Sequence, residues 1–469
     1  MRWPSRFLSR LLPLALLAAL GCAHYPLNAA LTRYQPGGGY RFEGLVSREN
    51  TNSLFICLAF SGGGTRAAAL AYGVMEKLRA TSVTWNGIEK RLLDEVDCIS
   101  SVSGGSFPAA YYALFGDRLF ADFRSRFLDR NIERELTLRL FNPVNLFRLL
   151  SPYFSRIDLA AELYHDTILD RKTFADLVAR GRRPFVMLNA TNLANGERFE
   201  FTQDQFDFLG SNLAAYPVAR AVAASSAFPF LLSPISLRNY PPPAGYSPPE
   251  EYRNALRDYE LNRRRFHWAR NQTLYLDKAS RPYLHLMDGG LADNIGLRAI
   301  EAAYRRSNGF IRRFLNEGQI EKLVILVVNA RTEPQEGLSR RERPPGLATV
   351  AYKTATISMD NYSFESVEVV KELLEERRKA QRDIEACQRI LDERCPGGRR
   401  LPAFPVVVDP YVIEVNFEAI REEERRNFFL NLPTSFALAP DQVQALIEAG
   451  QELLDRSPEF RRLLKALGR

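Results

Sequence analysis

Three short stretches of this 469-residue chain pair reactive or polar groups with the small neighbours that would expose them. In Cys98-Ile99-Ser100-Ser101-Val102-Ser103-Gly104-Gly105-Ser106 an apolar run stops at a serine and passes into small residues and a helical pattern. A serine on a cramped strand-to-helix turn is a candidate nucleophile. Glycine-sized neighbours let the backbone take the turn and let a substrate carbonyl approach. The full elbow is Gly-x-Ser-x-Gly, and Ser101 stands in place of its first glycine, so on these residues alone Ser103 also fits a purely structural turn. In Leu286-Met287-Asp288-Gly289-Gly290 an aspartate ends a strand-like run before two glycines, which marks either a site or a plain Asp-Gly turn. The third stretch, Ser61-Gly62-Gly63-Gly64-Thr65-Arg66, would leave backbone amides free at a helix start, where they favour negative charge. Such a loop holds a phosphate, holds the oxyanion of an acyl-transfer intermediate, or simply turns. It lacks Gly-Lys-Ser/Thr and Gly-x-Gly-x-x-Gly, which disfavours a nucleotide.

The elements around these stretches read as an α/β fold. Leu54–Phe60 is a continuous apolar run of buried-strand length, and Ala67–Leu78 reads as a helix whose alanines permit close packing on a sheet. A second buried strand leads to Ser103, so both loops emerge at one carboxyl edge of a parallel sheet, where open α/β folds place ligands. Pro184–Phe201 reads as a hairpin turning at Asn195-Gly196, and Val218–Phe230 as an alanine-rich helix closed by Pro229. Residues 239–278 are proline-rich and charged and read as a surface insertion within a 54–330 unit. The basic and aromatic stretch 136–154 suits either a core helix or a lid or interfacial patch that touches lipid. Leu323–Ala330 is a further strand. Residues 331–469 read as mainly helical, with a charged helix over 365–393, a strand-like run over 402–415 and helices over 435–467.

Length and a hydrophobic content of 46% allow a substantial core, and the net charge of +8 is spread without a dense basic block. Nucleic acid is therefore not expected as a partner, whereas anionic lipid head groups are compatible. Arg2, Arg6 and Arg10 precede the apolar stretch 11–20 and Gly21-Cys22, which reads as a signal sequence over 1–21, too short to span a bilayer. Cleavage before Cys22 resembles bacterial lipoprotein processing, with Cys22 lipidated. Ala23 in place of aspartate points, by that resemblance, to export to the outer membrane. Residues 22–53 then read as a tether. Cys57 and Cys98 read as buried fillers, and Cys387 with Cys395 as a candidate disulfide. No Cys/His cluster has metal-ligand spacing, and neither metal nor cofactor is expected.

Together the pieces resemble the patatin-like phospholipase family. The resemblance rests on Gly62-Gly63-Gly64-Thr65-Arg66, Ser103 in its elbow, the Ala-Thr-Asn and Asn-Gly-Glu hairpin, Ala224-Ser225-Ser226-Ala227-Phe228-Pro229 and Asp288-Gly289-Gly290, in the family's order. It departs at Ser101 and at Ala67, where glycine is usual. The resemblance implies a three-layer α/β/α fold around a mainly parallel sheet, and a Ser103–Asp288 dyad without histidine. It also implies an oxyanion loop of Gly62, Gly63, Gly64 and Arg66, with lipid or phospholipid as substrate. The histidines agree independently: none of the four lies after Asp288, and His285 should point away from it on the same strand. The implied activity is phospholipase A-type. Lysophospholipase or general carboxylesterase is the runner-up, and a non-catalytic lipoprotein scaffold is the alternative of another class.

Overall fold

The computed structural model describes residues 23–45, 50–333, 342–395 and 408–468. Cys22 and residues 402–407 of the strand-like run lie outside them. The central sheet has eight strands: β1 (Leu54–Phe60), β2 (Val96–Val102), β3 (Phe185–Asn192), β4 (Arg198–Glu200), β5 (Ile235–Arg238), β6 (Tyr283–Asp288), β7 (Lys322–Asn329) and β8 (Asp409–Asn416). The helices that matter for the site are α1 (Gly64–Ala80), α2 (Ser106–Phe115), α3 (Ile132–Leu140), α4 (Pro143–Arg148), α5 (Arg156–Thr167), α6 (Val218–Ser225), α7 (Leu347–Arg394) and α8 (Pro440–Arg456).

The sheet order is β8-β7-β1-β2-β3-β6-β5, with β4 on β3. The five strands from β8 to β3 are parallel, while β6 is antiparallel to β3 and β5. Every residue of β1 and β2 is buried, as expected of strands covered on both faces. Helices on both sides complete the three layers. The helical C-terminal region is knitted into this body: β8 is an edge strand of the sheet, and α8 packs on α1. That packing depends on missing side chains. A Cβ on Gly73 would lie 2.1 Å from the Ile447 carbonyl oxygen, and one on Gly450 2.6 Å from that of Leu70.

Three expectations need correction. Residues 23–45 are not a free tether: Tyr40 and Phe42 are buried, Phe42 packs on Phe55, Phe185 and Phe310, and Arg41 pairs with Asp204 and Asp207. Aromatic anchors in a polar, glycine-containing stretch outweigh its composition. The 239–278 segment, read as a surface insertion, carries helices over Glu250–Ala255 and Arg263–Leu276 that bury Tyr252 and Tyr275, which adds detail to that reading without overturning it. Cys57 and Cys98 are not mere fillers. They sit opposite one another on β1 and β2, with Cα atoms 4.7 Å apart, and are joined in a disulfide. Cys387 and Cys395 are free and exposed. Eight residues apart near the end of one helix, they sit roughly 12 Å from each other along its axis, beyond disulfide reach.

Candidate active site

Ser103 follows β2 at φ +50°, a left-handed conformation unusual for a side-chain-bearing residue, and is 7% exposed. Strain of this kind persists only where the surroundings hold it. Here the elbow lies backbone to backbone on the glycine loop. A Cβ on Gly104 would fall 2.0 Å from the Gly64 carbonyl oxygen, and one on Gly105 2.7 Å from Ser61 O. A run of serine hydroxyls fixes the turn: the Ser103 amide donates to Ser225 Oγ (2.9 Å), Ser225 Oγ and Ser106 Oγ are 2.9 Å apart, and Ser106 Oγ donates to Ser101 Oγ (3.2 Å). Ser101 lies in the extended strand, where no glycine is required, and its hydroxyl joins this run. The departure from the elbow pattern therefore leaves the turn intact. Ser106 and Ser225 escaped sequence reasoning as positioning residues, because nothing local tells a bonding serine from a small one.

Asp288 ends β6 on the other side of β3. Its amide donates to Ala227 O (3.0 Å), the Gly289 amide donates to Ser225 O (3.1 Å), and Thr191 Oγ1 donates to Asp288 O (2.8 Å). Gly289 crosses so tightly that a Cβ would lie 2.4 Å from Asn189 O and 3.2 Å from Val102, the residue before Ser103. The Ala224–Pro229 stretch thus grips both the serine turn and the aspartate turn. Asp288 Oδ1 accepts the Gly290 amide (2.8 Å), whereas Oδ2 is buried without a hydrogen-bond donor of its own. Burial pushes the carboxyl up to about 7, held from going higher by the Gly290 amide and the Ser103 hydroxyl. A base poised there is matched to neutral pH. His285 is exposed on the opposite face and bonds Ser236 (2.8 Å), and none of the four histidines lines the cavity.

The glycine loop differs from the expected donor set. The Gly62 amide donates to Asn294 O (2.8 Å) and is not available to an oxyanion. A Cβ on Gly62 would also sit 2.6 Å from Asn294 Oδ1. Asn294 is a contact no sequence signal identified. The amides of Gly63 (φ +138°) and Gly64 (φ +61°) have no protein acceptor among the described residues. Gly64 is wedged beneath Ser435, whose carbonyl oxygen would be 2.3 Å from a Cβ. Arg66 is a strut and not a loop donor. Its guanidinium donates to Ala330 O (2.9 Å), Leu432 O (2.8 Å) and Thr434 Oγ1 (3.1 Å), tying α1 to the end of β7 and to the C-terminal region.

Gly63, Ser103, Asp288 and Phe228 line one cavity of about 90 Å³, with Arg66, Arg331, Lys353 and Met359 around it. Lys353 and Met359 come from α7, so the long charged helix reaches over the site. A volume this small is well under the roughly 300 Å³ of an ordinary ligand pocket.

The sequence model described as patatin-like phospholipase matches residues 58–300, just over half of the chain, and spans every motif named above. No curated protein sequence matches significantly. Among solved structures the chain is similar to human GIVD cytosolic phospholipase A2, at 13% identity and TM-score 0.44, over 89% of this chain and 62% of that one. The same human protein in complex with methyl gamma-linolenyl fluorophosphonate and terbium chloride gives 13% and 0.39, over 89% and 59%. VipD from Legionella pneumophila gives 13% and 0.30, over 94% and 71%. The chain therefore spans about three fifths of the length of the human structures. On the family match, with its motifs gathered at one edge of the expected sheet, the chain belongs to the patatin-like phospholipase family.

Proposed function

We propose that the protein is a serine lipid acyl hydrolase of phospholipase A type working through a Ser103–Asp288 dyad. The observation that carries this reading is the buried Asp288 carboxyl, raised to about 7, with one oxygen unbonded and the Ser103 hydroxyl beside it. Asp288 takes the Ser103 Oγ proton as Oγ attacks the ester carbonyl, and the amides of Gly63 and Gly64 receive the oxyanion. The leaving alcohol takes that proton from Asp288. Asp288 then deprotonates a water that attacks the acyl-enzyme, and as the adduct collapses Ser103 Oγ leaves and takes that proton back from Asp288, releasing a carboxylic acid and restoring both residues.

Arg66, Arg331 and Lys353 around the cavity favour an anionic head group, which supports phospholipid over a neutral ester. Lipidation of Cys22 and export belong to the same reading. The Cys57–Cys98 disulfide supports an oxidising compartment.

The test compares hydrolysis of long-chain phospholipid vesicles, lysophospholipid and a short-chain ester by the wild type, Ser103→Ala and Asp288→Asn. The reading expects turnover of phospholipid that both variants lose. Preference for the lysolipid or the short ester would move the assignment to the runner-up. Equal rates for all three proteins would leave a non-catalytic scaffold.

A further inference from the structure

The stretch 132–156 is anchored to the core by Ile132, Leu136 and Phe154 but leaves much of its apolar surface outside it. Leu138, Phe141, Leu150 and Tyr153, and Phe230 and Leu231 on the segment that Arg156 bonds, are each 58% to 71% exposed. Isolated exposed apolar groups are ordinary, but six gathered on neighbouring segments mark a contact surface. Phe230 adds a second unfavourable feature. It adopts φ +69° with its ring in solvent, its carbonyl accepting from Arg156 Nη2 (3.3 Å). Strain and exposure thus coincide at this one aromatic residue.

The charges without an ion pair on this face are mostly positive, three arginines against the single carboxylate of Glu133, whose donors are neutral. Each acid between 132 and 162 is engaged: Glu133 accepts from Ser435 Oγ (2.7 Å) and the Phe436 amide (2.8 Å), and Glu135 pairs with Arg130. Asp158 pairs with Arg220 (2.9 Å) and Glu162 with Arg148 (2.5 Å). Arg134, Arg139 and Arg156 have no ion pair among the described residues. The face therefore presents apolar groups and uncompensated arginines together, the pairing that suits an interfacial, anionic lipid surface. A second copy of this chain fits poorly, because a two-fold contact would set arginine against arginine.

Two connections give the face its purpose. Phe230 is two residues past Phe228, which lines the catalytic cavity, and Glu133 holds Ser435, whose carbonyl wedges Gly64. The chain entering from residue 22 is also bound here: Ser151 Oγ donates to Ala23 O (2.5 Å), the Tyr25 amide donates to Tyr153 O (2.8 Å), and His24 stacks on Tyr153 with ring centroids 5.0 Å apart. An acyl group on Cys22 would join the chain one residue before this contact.

We propose that α3, α4, the turn after them and Phe230-Leu231 form a face that seats the protein on an anionic bilayer, with the catalytic cavity at its margin. The inference rests on the lipid acyl hydrolase reading for its purpose, and its test reads binding separately from turnover.

Full-length protein carrying Cys22→Ser in every arm, so that no acyl group masks the comparison, is sedimented with vesicles of phosphatidylglycerol and phosphatidylcholine in equal parts, and with phosphatidylcholine alone. A Phe141→Glu/Leu150→Glu variant is expected to bind the mixed vesicles roughly tenfold more weakly or worse, while hydrolysis of a soluble butyrate ester stays within about twofold. An Arg134→Glu/Arg139→Glu variant is expected to lose the preference for anionic vesicles. Both sites are solvent-facing, and melting curves matching the parent check the fold. Vesicle binding equal to the parent in the apolar variant overturns the proposal. So does a parent dimer that this variant breaks while vesicle binding is unchanged, which would make a second copy the occupant. If the binding pattern holds but no substrate is hydrolysed, the docking face stands and the hydrolase reading falls.

Discussion

Two aspartates are buried in this sheet at opposite ends of neighbouring parts. Asp97 is the second residue of β2, Asp288 ends β6, and burial raises the carboxyl of each above its ordinary range. Their surroundings differ. Asp97 Oδ1 accepts from Asn50 Nδ2 (2.7 Å) and Arg183 Nη1 (2.6 Å), and Oδ2 from the Ile56 amide (2.8 Å), so both oxygens are occupied and a cation lies alongside. Asp288 has one amide, one bare oxygen, a neighbouring hydroxyl and a cavity. Burial alone does not make a base. What separates latch from base is an oxygen left unsatisfied where a proton can arrive and a substrate can fit.

Exchanging the two side chains' chemistry should break the molecule in two different ways. Asp288→Asn and Ser103→Ala are expected to lower kcat on the order of 10⁴-fold, measured by single-turnover ester hydrolysis, with the fold retained. Asp97→Asn is expected to do the reverse. It disturbs the buried carboxyl that holds Arg183, Asn50 and the Ile56 amide together and costs about 3 kcal/mol in urea unfolding, while the folded fraction keeps its specific activity. A stability loss in Asp288→Asn together with an activity loss in Asp97→Asn would erase the distinction.

The pH dependence sharpens it. The carboxylate is the active form, so kcat/KM should rise with pH and level off above about 7. The Asp288 carboxyl in the fold sits above its unfolded value of 3.8, so between there and about 7 the native state holds a proton that the unfolded chain releases. Stability contributed by this group therefore falls as pH rises through that window, and is lowest above it. Melting at pH 8 should show Asp288→Asn a few degrees above the wild type, the stability that a buried base gives up for function.

The short motifs were legible in the sequence because each requires close backbone approach within a few residues. Gly104, Gly105 and Gly289 are glycines for the reason their position implies, and the continuous apolar runs of β1 and β7 have the length of buried strands. What stayed hidden are contacts across hundreds of residues. Nothing near Gly62 indicates that Asn294 takes its amide, nor does anything near Arg66 point to carbonyls at 330 and 432. The reach of α7 over the cavity was hidden too, since a charged helix reads as solvated whatever one of its faces covers. The pairing of Cys57 with Cys98 needed the strand register. The smallest expected effect tests one of these hidden contacts: Ser225→Ala, which leaves the Ser103 amide without its acceptor, should cost about 1 kcal/mol and several-fold in kcat.

The central claim is that Ser103 is a nucleophile activated by Asp288. The most direct measurement is the site and rate of labelling by an alkyl fluorophosphonate, mapped by peptide mass spectrometry across pH. The expected result is a single adduct on Ser103, formed faster as pH rises toward about 7 and slowed at least ~100-fold in Asp288→Asn. An adduct on another serine, or a Ser103 rate unchanged by Asp288→Asn, would contradict it.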